Sequence, residues 1–139
     1  MSFSTTGMIK TPLFKRTFWL LFVVGFLNII AIKLYLYWTV WWFDMVVHFL
    51  AGATVAMTAM LLWYFFFKGT IPNISKSIKI SVAAALLIGI LWEFYELYFS
   101  ITFLSDGLAY WTDTSSDLLM DISGGILGAL YAHRILSRD

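Results

Sequence analysis

The chain of 139 residues is 61% hydrophobic and only 12% charged, and its net charge at pH 7 is +1. This composition excludes a water-soluble domain of ordinary surface polarity and a disordered chain. The near-neutral charge argues against a nucleic-acid binder. There is no cysteine, which excludes disulfides, thiolate metal sites and cysteine nucleophiles. The remaining class is a polytopic helical membrane protein, because a helix needs about 20 mostly apolar residues to cross a bilayer.

Four apolar stretches predict four membrane-spanning helices, at approximately residues 17–37, 44–67, 78–100 and 116–136. The first is expected to remain as a helix, since its aromatic exit lacks the small residues of a signal-peptide cleavage site. The fourth has the shortest uncharged stretch, so a re-entrant or interfacial helix is an alternative for it. Short connections make consecutive helices antiparallel neighbours. The expected fold is all-α, a four-helix transmembrane bundle that forms one domain over residues 1–139.

The basic residues predict how this bundle is oriented. Eight of the nine lysines and arginines fall near the chain termini or in the loop between the second and third spans, and Lys33 alone falls on the other side. By the positive-inside rule, both termini are expected to be cytoplasmic. Lys33 is expected to snorkel outward, with neutralisation of nearby acids as the alternative. Tryptophans near the span ends agree with the aromatic belts of membrane proteins.

The acidic residues cluster at the opposite, outer side, where seven of the eight fall and only Asp139 does not. Helical spacing places three pairs of ionisable residues on shared helix faces. The pairs are Asp44 with His48, Glu93 with Glu96, and Asp117 with Asp121. Glycine and alanine continue each of these faces, and Gly25 with Asn28 forms a weaker stripe in the first span. Because small residues let membrane helices pack closely, the polar faces are expected to point into the bundle.

Individual members of this cluster also have structural explanations. Asp44 and Asp113 can be N-caps, where the helix dipole stabilises an acid, and His48 can be a hydrogen-bonded structural residue. Glu93 and Glu96 do not fit this explanation, because the C-terminal end of a helix disfavours negative charge. A carboxylate at membrane depth is costly unless it is protonated, paired or bound to a cation. The cluster therefore requires protonated carboxylates or a bound cation.

A divalent cation is the sharper hypothesis. The candidate ligands are one imidazole and several carboxylates, namely His48, Glu93, Glu96, Asp117 and Asp121, with Asp44 as a ligand or an orienting group. These ligands suit zinc, manganese or iron(II), whereas calcium and magnesium prefer oxygen alone. The alternatives are a metal-free proton or ion relay and a structural polar cluster.

Three segments resemble the small YjdF-like bacterial inner-membrane proteins, whose activity is unestablished. They are WFDMVVHFLAG at 42–52, LWEFYEL at 91–97 and DTSSDLLMDISGG at 113–125. The resemblance covers roughly residues 40–130 and implies a multi-pass protein of the bacterial cytoplasmic membrane. The segment from Asp44 to His48 is also similar to VanZ-like membrane proteins, although one more residue separates the acid from the histidine here.

Two functional classes fit these observations. One is a metal-dependent enzyme at the membrane surface, in which the metal activates water and Glu93 or Glu96 is the general base. The other is a non-enzymatic protein that handles ions or protons or has a structural role. Transport would need a homo-oligomer, because four helices leave little room for a path in one copy. The glycine and alanine beneath the acids favour a site closed from the cytoplasmic side. The expected surroundings are the lipid bilayer, without nucleic acid.

Overall fold

The computed structural model describes residues 11–138, and over this range the secondary structure is helical. The helices are α1 (Pro12–Lys33), the short α2 (Leu36–Thr39), α3 (Phe43–Phe66), α4 (Ile74–Tyr98) and α5 (Leu108–Leu136), with a 3-10 turn at Leu104–Asp106. The all-α class is therefore confirmed. Lys10 and Asp139, which enter the charge argument, lie outside the described residues.

Local sequence explains where three of the long helices begin. Thr11 caps α1, because its Oγ1 accepts a hydrogen bond from the N–H of Phe14 at 3.2 Å. Asn73 caps α4 in the same way, with its Oδ1 accepting from the N–H of Lys76 at 2.9 Å. Gly107 precedes α5 at a φ of 60°, a backbone conformation that glycine adopts without steric cost.

Helix α5 begins about two turns earlier than expected, at Leu108 instead of near residue 116. Three hydroxyls at or just before the expected start of the fourth span donate to carbonyls one turn back in the helix. These bonds are Thr112 to Leu108 (2.8 Å), Ser115 to Trp111 (2.6 Å) and Ser116 to Thr112 (2.8 Å). The N-cap interpretation was wrong, since Asp113 lies inside α5 and Asp44 is the second residue of α3.

Among the described helices, α1, α3 and α4 are long and apolar enough to cross a membrane. At 1.5 Å per residue their lengths are about 33–38 Å, which exceeds the roughly 30 Å of a hydrocarbon core. Helix α5 is longer, with 29 residues, but it is not among these candidates. Its Asp113, Asp117 and Asp121 lower its hydropathy, because all three lie within the helix.

Helix α3 is the centre of the bundle and packs on α1, α4 and α5. The tightest contact is between α3 and α5. A Cβ atom on Gly124 would overlap the main-chain carbonyl of Phe49, and one on Gly128 would lie 2.6 Å from the carbonyl oxygen of Ala53. The close packing expected of this Gly-x-x-x-Gly pair is therefore confirmed.

Helix α5 turns two of its acids towards the other helices and two of its leucines outward. Asp117 and Asp121 are 2% and 3% exposed, whereas Leu119 and Leu127 are 60% and 55% exposed. The polar face of this helix thus points into the bundle, as the sequence predicted.

The two ends of the bundle differ in chemistry. We call the end where α3 and α5 begin and α4 ends the acidic end. The opposite end holds an apolar core that joins α1, α3 and α5, with the buried residues Leu13, Met57, Met60, Leu61, Ala132 and Leu136. Helix α1 packs mainly on α3, and within the described residues it has few contacts with α5 and very few with α4.

Candidate functional site

His48 lies at the centre of the acidic end and brings three aspartates together. Its Nδ1 is 3.2 Å from Oδ2 of Asp121. Its Nε2 is 3.7 Å from Oδ1 of Asp44 and 4.0 Å from Oδ2 of Asp117. His48 is 6% exposed, so this contact is made away from bulk water.

Two glycines on neighbouring helices make the space for Asp121. A Cβ atom on Gly89 of α4 would overlap the carboxylate oxygen Oδ2 of Asp121. A Cβ atom on Gly52 of α3 would overlap the main-chain carbonyl of the same residue. The carboxylate of Asp121 can therefore reach His48 because both facing positions lack a side chain.

One neutral tautomer of His48 has a ring nitrogen free for a ligand. In the tautomer with its proton on Nδ1, the ring donates to Asp121, and Nε2 turns its lone pair towards the other two aspartates. A carboxylate partner on the second nitrogen is the usual way that proteins orient a metal-binding histidine. Asp44, His48 and Asp117 each offer one ligand atom, and these atoms lie within 4.8 Å of one another. This group can hold a metal ion.

The distances are close to those of a bound ion. Ligand bonds of about 2.0–2.2 Å in a tetrahedral site place the ligand atoms roughly 3.3–3.6 Å apart. The distances from Nε2 of His48 to the oxygens of Asp44 and Asp117 are 3.7 and 4.0 Å. The three ligand atoms lie within 4.8 Å of one another, so the side chains would have to move closer together around an ion.

The two glutamates lie beside this group and have other partners. Glu93 is buried, and its Oε2 accepts a hydrogen bond from Oγ1 of Thr114 at 2.6 Å. Its Oε1 has no hydrogen-bond partner among residues 11–138. Glu96 is half-buried, and its Oε1 accepts from Nε1 of Trp92 at 3.0 Å. The six candidate ligands thus separate into a group of four around His48 and two neighbouring glutamates.

The acids at this end have little positive charge near them. Among residues 11–138, His48 is the only basic side chain within ion-pair distance of an acidic one. Lys33 is exposed, as its expected snorkelling requires. Negative charge at the acidic end is therefore not balanced by lysine or arginine of the described chain.

An apolar cavity of about 200 Å³ adjoins His48 and is lined mainly by α1, α3 and α4, with Tyr37 of α2 and Asp121 of α5. Its polar end includes Asn28 and Tyr37, and the hydroxyl of Tyr37 donates to Oδ1 of Asn28 at 2.5 Å. Burial, together with the negative charges of Asp44 and Glu96, raises the pKa of Tyr37 to about 12. Tyr37 was not identified as a site residue from the sequence, where it is only the last residue of the first apolar span.

The fold and the site together define an all-helical membrane protein with a buried acidic and histidine-containing cluster at one end. The chain belongs to the family described as predicted membrane protein (DUF2238), whose model matches residues 6–138. This membership agrees with the resemblance to YjdF-like small membrane proteins. No curated protein and no solved structure matches the chain.

Proposed function

We propose that this protein binds a divalent cation through Nε2 of His48 and the carboxylates of Asp44 and Asp117. The observation that carries the proposal is the two-sided environment of the His48 ring. The buried carboxylate of Asp121 lies 3.2 Å from Nδ1, and the other two carboxylates face Nε2. One imidazole with two carboxylates suits zinc, manganese or iron(II).

The bilayer setting of this site is part of the proposal. We take α5 as a fourth crossing, because its 29 residues extend about 43 Å. In addition, Leu119 and Leu127 face outward while Asp117 and Asp121 face the other helices. Lys15 and Arg16 near the start of α1 and Arg134 near the end of α5 place positive charge opposite the acidic end. By the positive-inside rule the termini are cytoplasmic and the site faces the outside of a bacterial cytoplasmic membrane.

A bound cation at this position would support chemistry at the membrane surface. A divalent metal lowers the pKa of a bound water and so supplies a nucleophile. Glu93 is the better general-base candidate of the two glutamates, because its Oε1 is buried and has no hydrogen-bond partner in the described part of the chain. Glu96 is less suited, since the indole N–H of Trp92 occupies one of its oxygens. The proposed class is a metal-dependent enzyme whose substrate reaches it from the bilayer surface.

A second candidate function needs no metal. The three aspartates lie 3.2–4.0 Å from the ring nitrogens of His48, and these are also ion-pair distances for a protonated imidazole. In this case the cluster would store or pass protons, or would hold α3 and α5 together, and transport would need several copies of the chain. Metal content separates this function from the first.

The test compares the two histidines of the chain. Protein purified without chelator is incubated with Zn²⁺ or Mn²⁺, desalted and analysed for bound metal, as wild type, His48→Ala and His133→Ala. His133 is the matched control, because it lies at the opposite end of the bundle, where its Nδ1 is 3.1 Å from Oγ of Ser77. We expect about one metal per chain in wild type and in His133→Ala and none in His48→Ala. A wild type that retains neither metal contradicts the proposal and favours the metal-free function.

A further inference from the structure

The cavity beside His48 lies between α1 and α4, and α3 forms its floor. Apart from its polar end, its walls are apolar or small. The lining includes Leu21, Val47, Ala51, Val55 and Ile88. Gly25 also lines it, and a Cβ atom added there would meet no atom of residues 11–138 within 4 Å. Since Gly25 is exposed, it lies at the open side of the cavity.

This cavity opens sideways, towards the surface that lipid would cover. Helices α1 and α4 barely touch each other among the described residues. Leu21 on α1 is 57% exposed and Ile88 on α4 is 48% exposed, although both line the cavity. A molecule within the hydrocarbon layer can therefore enter between these two helices without crossing the acidic end of the bundle.

The wall of the cavity changes from apolar to charged along its length. Asp44 and His48 of the candidate cation site line it together with Asp121, so an occupant has its polar end beside that site and its apolar body between the helices. An apolar cavity of about 150 Å³ is enough for benzene. The roughly 200 Å³ here takes a segment of a hydrocarbon chain, and the rest of the chain extends through the side opening.

We propose that this cavity holds the apolar chain of a membrane phospholipid, with the lipid phosphate at the cation of the Asp44, His48 and Asp117 group. The phosphate contact rests on the proposed function, because carboxylates alone would repel a phosphate and a divalent cation between them reverses that interaction. The seating of the chain rests on the cavity itself. The lipid is thus the substrate class that this geometry selects for the site.

Photolabelling within a bilayer tests where the chain lies. The protein is placed in nanodiscs containing phosphatidic acid with a diazirine in one acyl chain, and labelled residues are mapped by mass spectrometry after illumination. We expect labels on the half-buried cavity floor, at Val47, Ala51 and Val55, in addition to the outward surface. Labels restricted to outward-facing residues would overturn the proposal.

Gly25→Leu is the decisive variant, because Gly25 lines the cavity and a new Cβ atom there meets no described atom. The larger side chain is expected to narrow the cavity at its open side. Labelling of the floor should fall several-fold, while bound metal stays at the wild-type level. Val23→Leu is the matched control, since Val23 is 43% exposed on the same helix and does not line the cavity. Its labelling should equal that of wild type. Undiminished floor labelling in Gly25→Leu overturns the proposal.

Removal of the metal distinguishes the two parts of the inference. In wild type treated with chelator, and in His48→Ala, floor labelling by the phosphatidic acid probe should fall several-fold. If floor labelling does not change when the metal is removed but is lost in Gly25→Leu, the phosphate contact is overturned and the binding site for the acyl chain is supported. A wild type without metal refutes the proposed function, and the chain site is then judged by Gly25→Leu alone.

Discussion

Helices α5 and α1 both pack on α3, but in opposite ways. Gly124 of α5 lies against main-chain atoms of α3 so closely that no side chain fits, whereas Gly25 of α1 has open space around its Cα. The tight contact holds Asp117 and Asp121 in position beside His48. The loose contact leaves a cavity and an opening. One region of the molecule thus provides rigidity for a candidate site, and the other provides access to it.

Replacing each of these two glycines by valine should give the largest difference between α5 and α1. Gly124→Val places a side chain on the carbonyl of Phe49, and we expect a loss of about 1–3 kcal/mol or more in the free energy of unfolding, visible as aggregation or a lowered Tm in detergent. Gly25→Val should remain monodisperse with a Tm near that of wild type. Equal destabilisation of the two variants would show that α1 packs as tightly as α5.

Removing the charge that orients His48 should have the next largest effect. Asp121→Asn leaves the ligands in place but alters the partner of Nδ1, so we expect the affinity for Zn²⁺ or Mn²⁺ to fall about 10–100-fold. Asp106→Asn is the matched control, because Asp106 is exposed in the 3-10 turn before α5. Titration with a competing metal indicator measures both. An unchanged affinity in Asp121→Asn would remove this aspartate from the site.

Gly89, which faces the carboxylate of Asp121, gives a finer test of the close packing around this aspartate. In Gly89→Ala the new methyl group overlaps Oδ2 of Asp121. Since a side chain can rotate away more easily than a backbone can move, we expect a smaller loss of metal affinity than in Asp121→Asn, with the protein still folded. Gly25→Ala should bind metal as wild type does. A metal affinity in Gly89→Ala equal to that of wild type would mean that Asp121 does not need this space.

The smallest expected effect concerns Tyr37, at the polar end of the cavity. Its pKa is raised from 10.0 to about 12, so the unfolded chain releases this proton at lower pH than the folded protein does. The free energy of unfolding should therefore decline as the pH rises from about 10 to about 12, and it should be unaffected by Tyr37 below that window. Thermal unfolding of wild type and Tyr37→Phe across this range isolates the contribution. The phenolate absorbance of wild type minus that of Tyr37→Phe should titrate near pH 12. A midpoint near pH 10 would contradict the raised pKa of Tyr37.

The helix class and the polar pairs could be predicted because they depend on local periodicity. Asp44 with His48 and Asp117 with Asp121 share helix faces wherever the helices lie, and glycine near each pair indicated close packing. The helix start at Leu108 could not be predicted, since serine and threonine favour caps and loops but also bond within a helix. Cap assignments for Asp44 and Asp113 failed for the same reason, because capping depends on where the helix begins.

The sequence by itself determined the hydrophobic lengths, the separation of basic from acidic residues and the inward direction of the polar faces, since each follows from composition and helical spacing. Only the tertiary structure decided how His48 divides its neighbours, with Asp121 on Nδ1 and the other two aspartates on Nε2. It also decided that Gly25 borders a cavity while Gly124 lies in the tight contact between α3 and α5. Both outcomes depend on contacts between helices distant in the chain, which local periodicity does not encode.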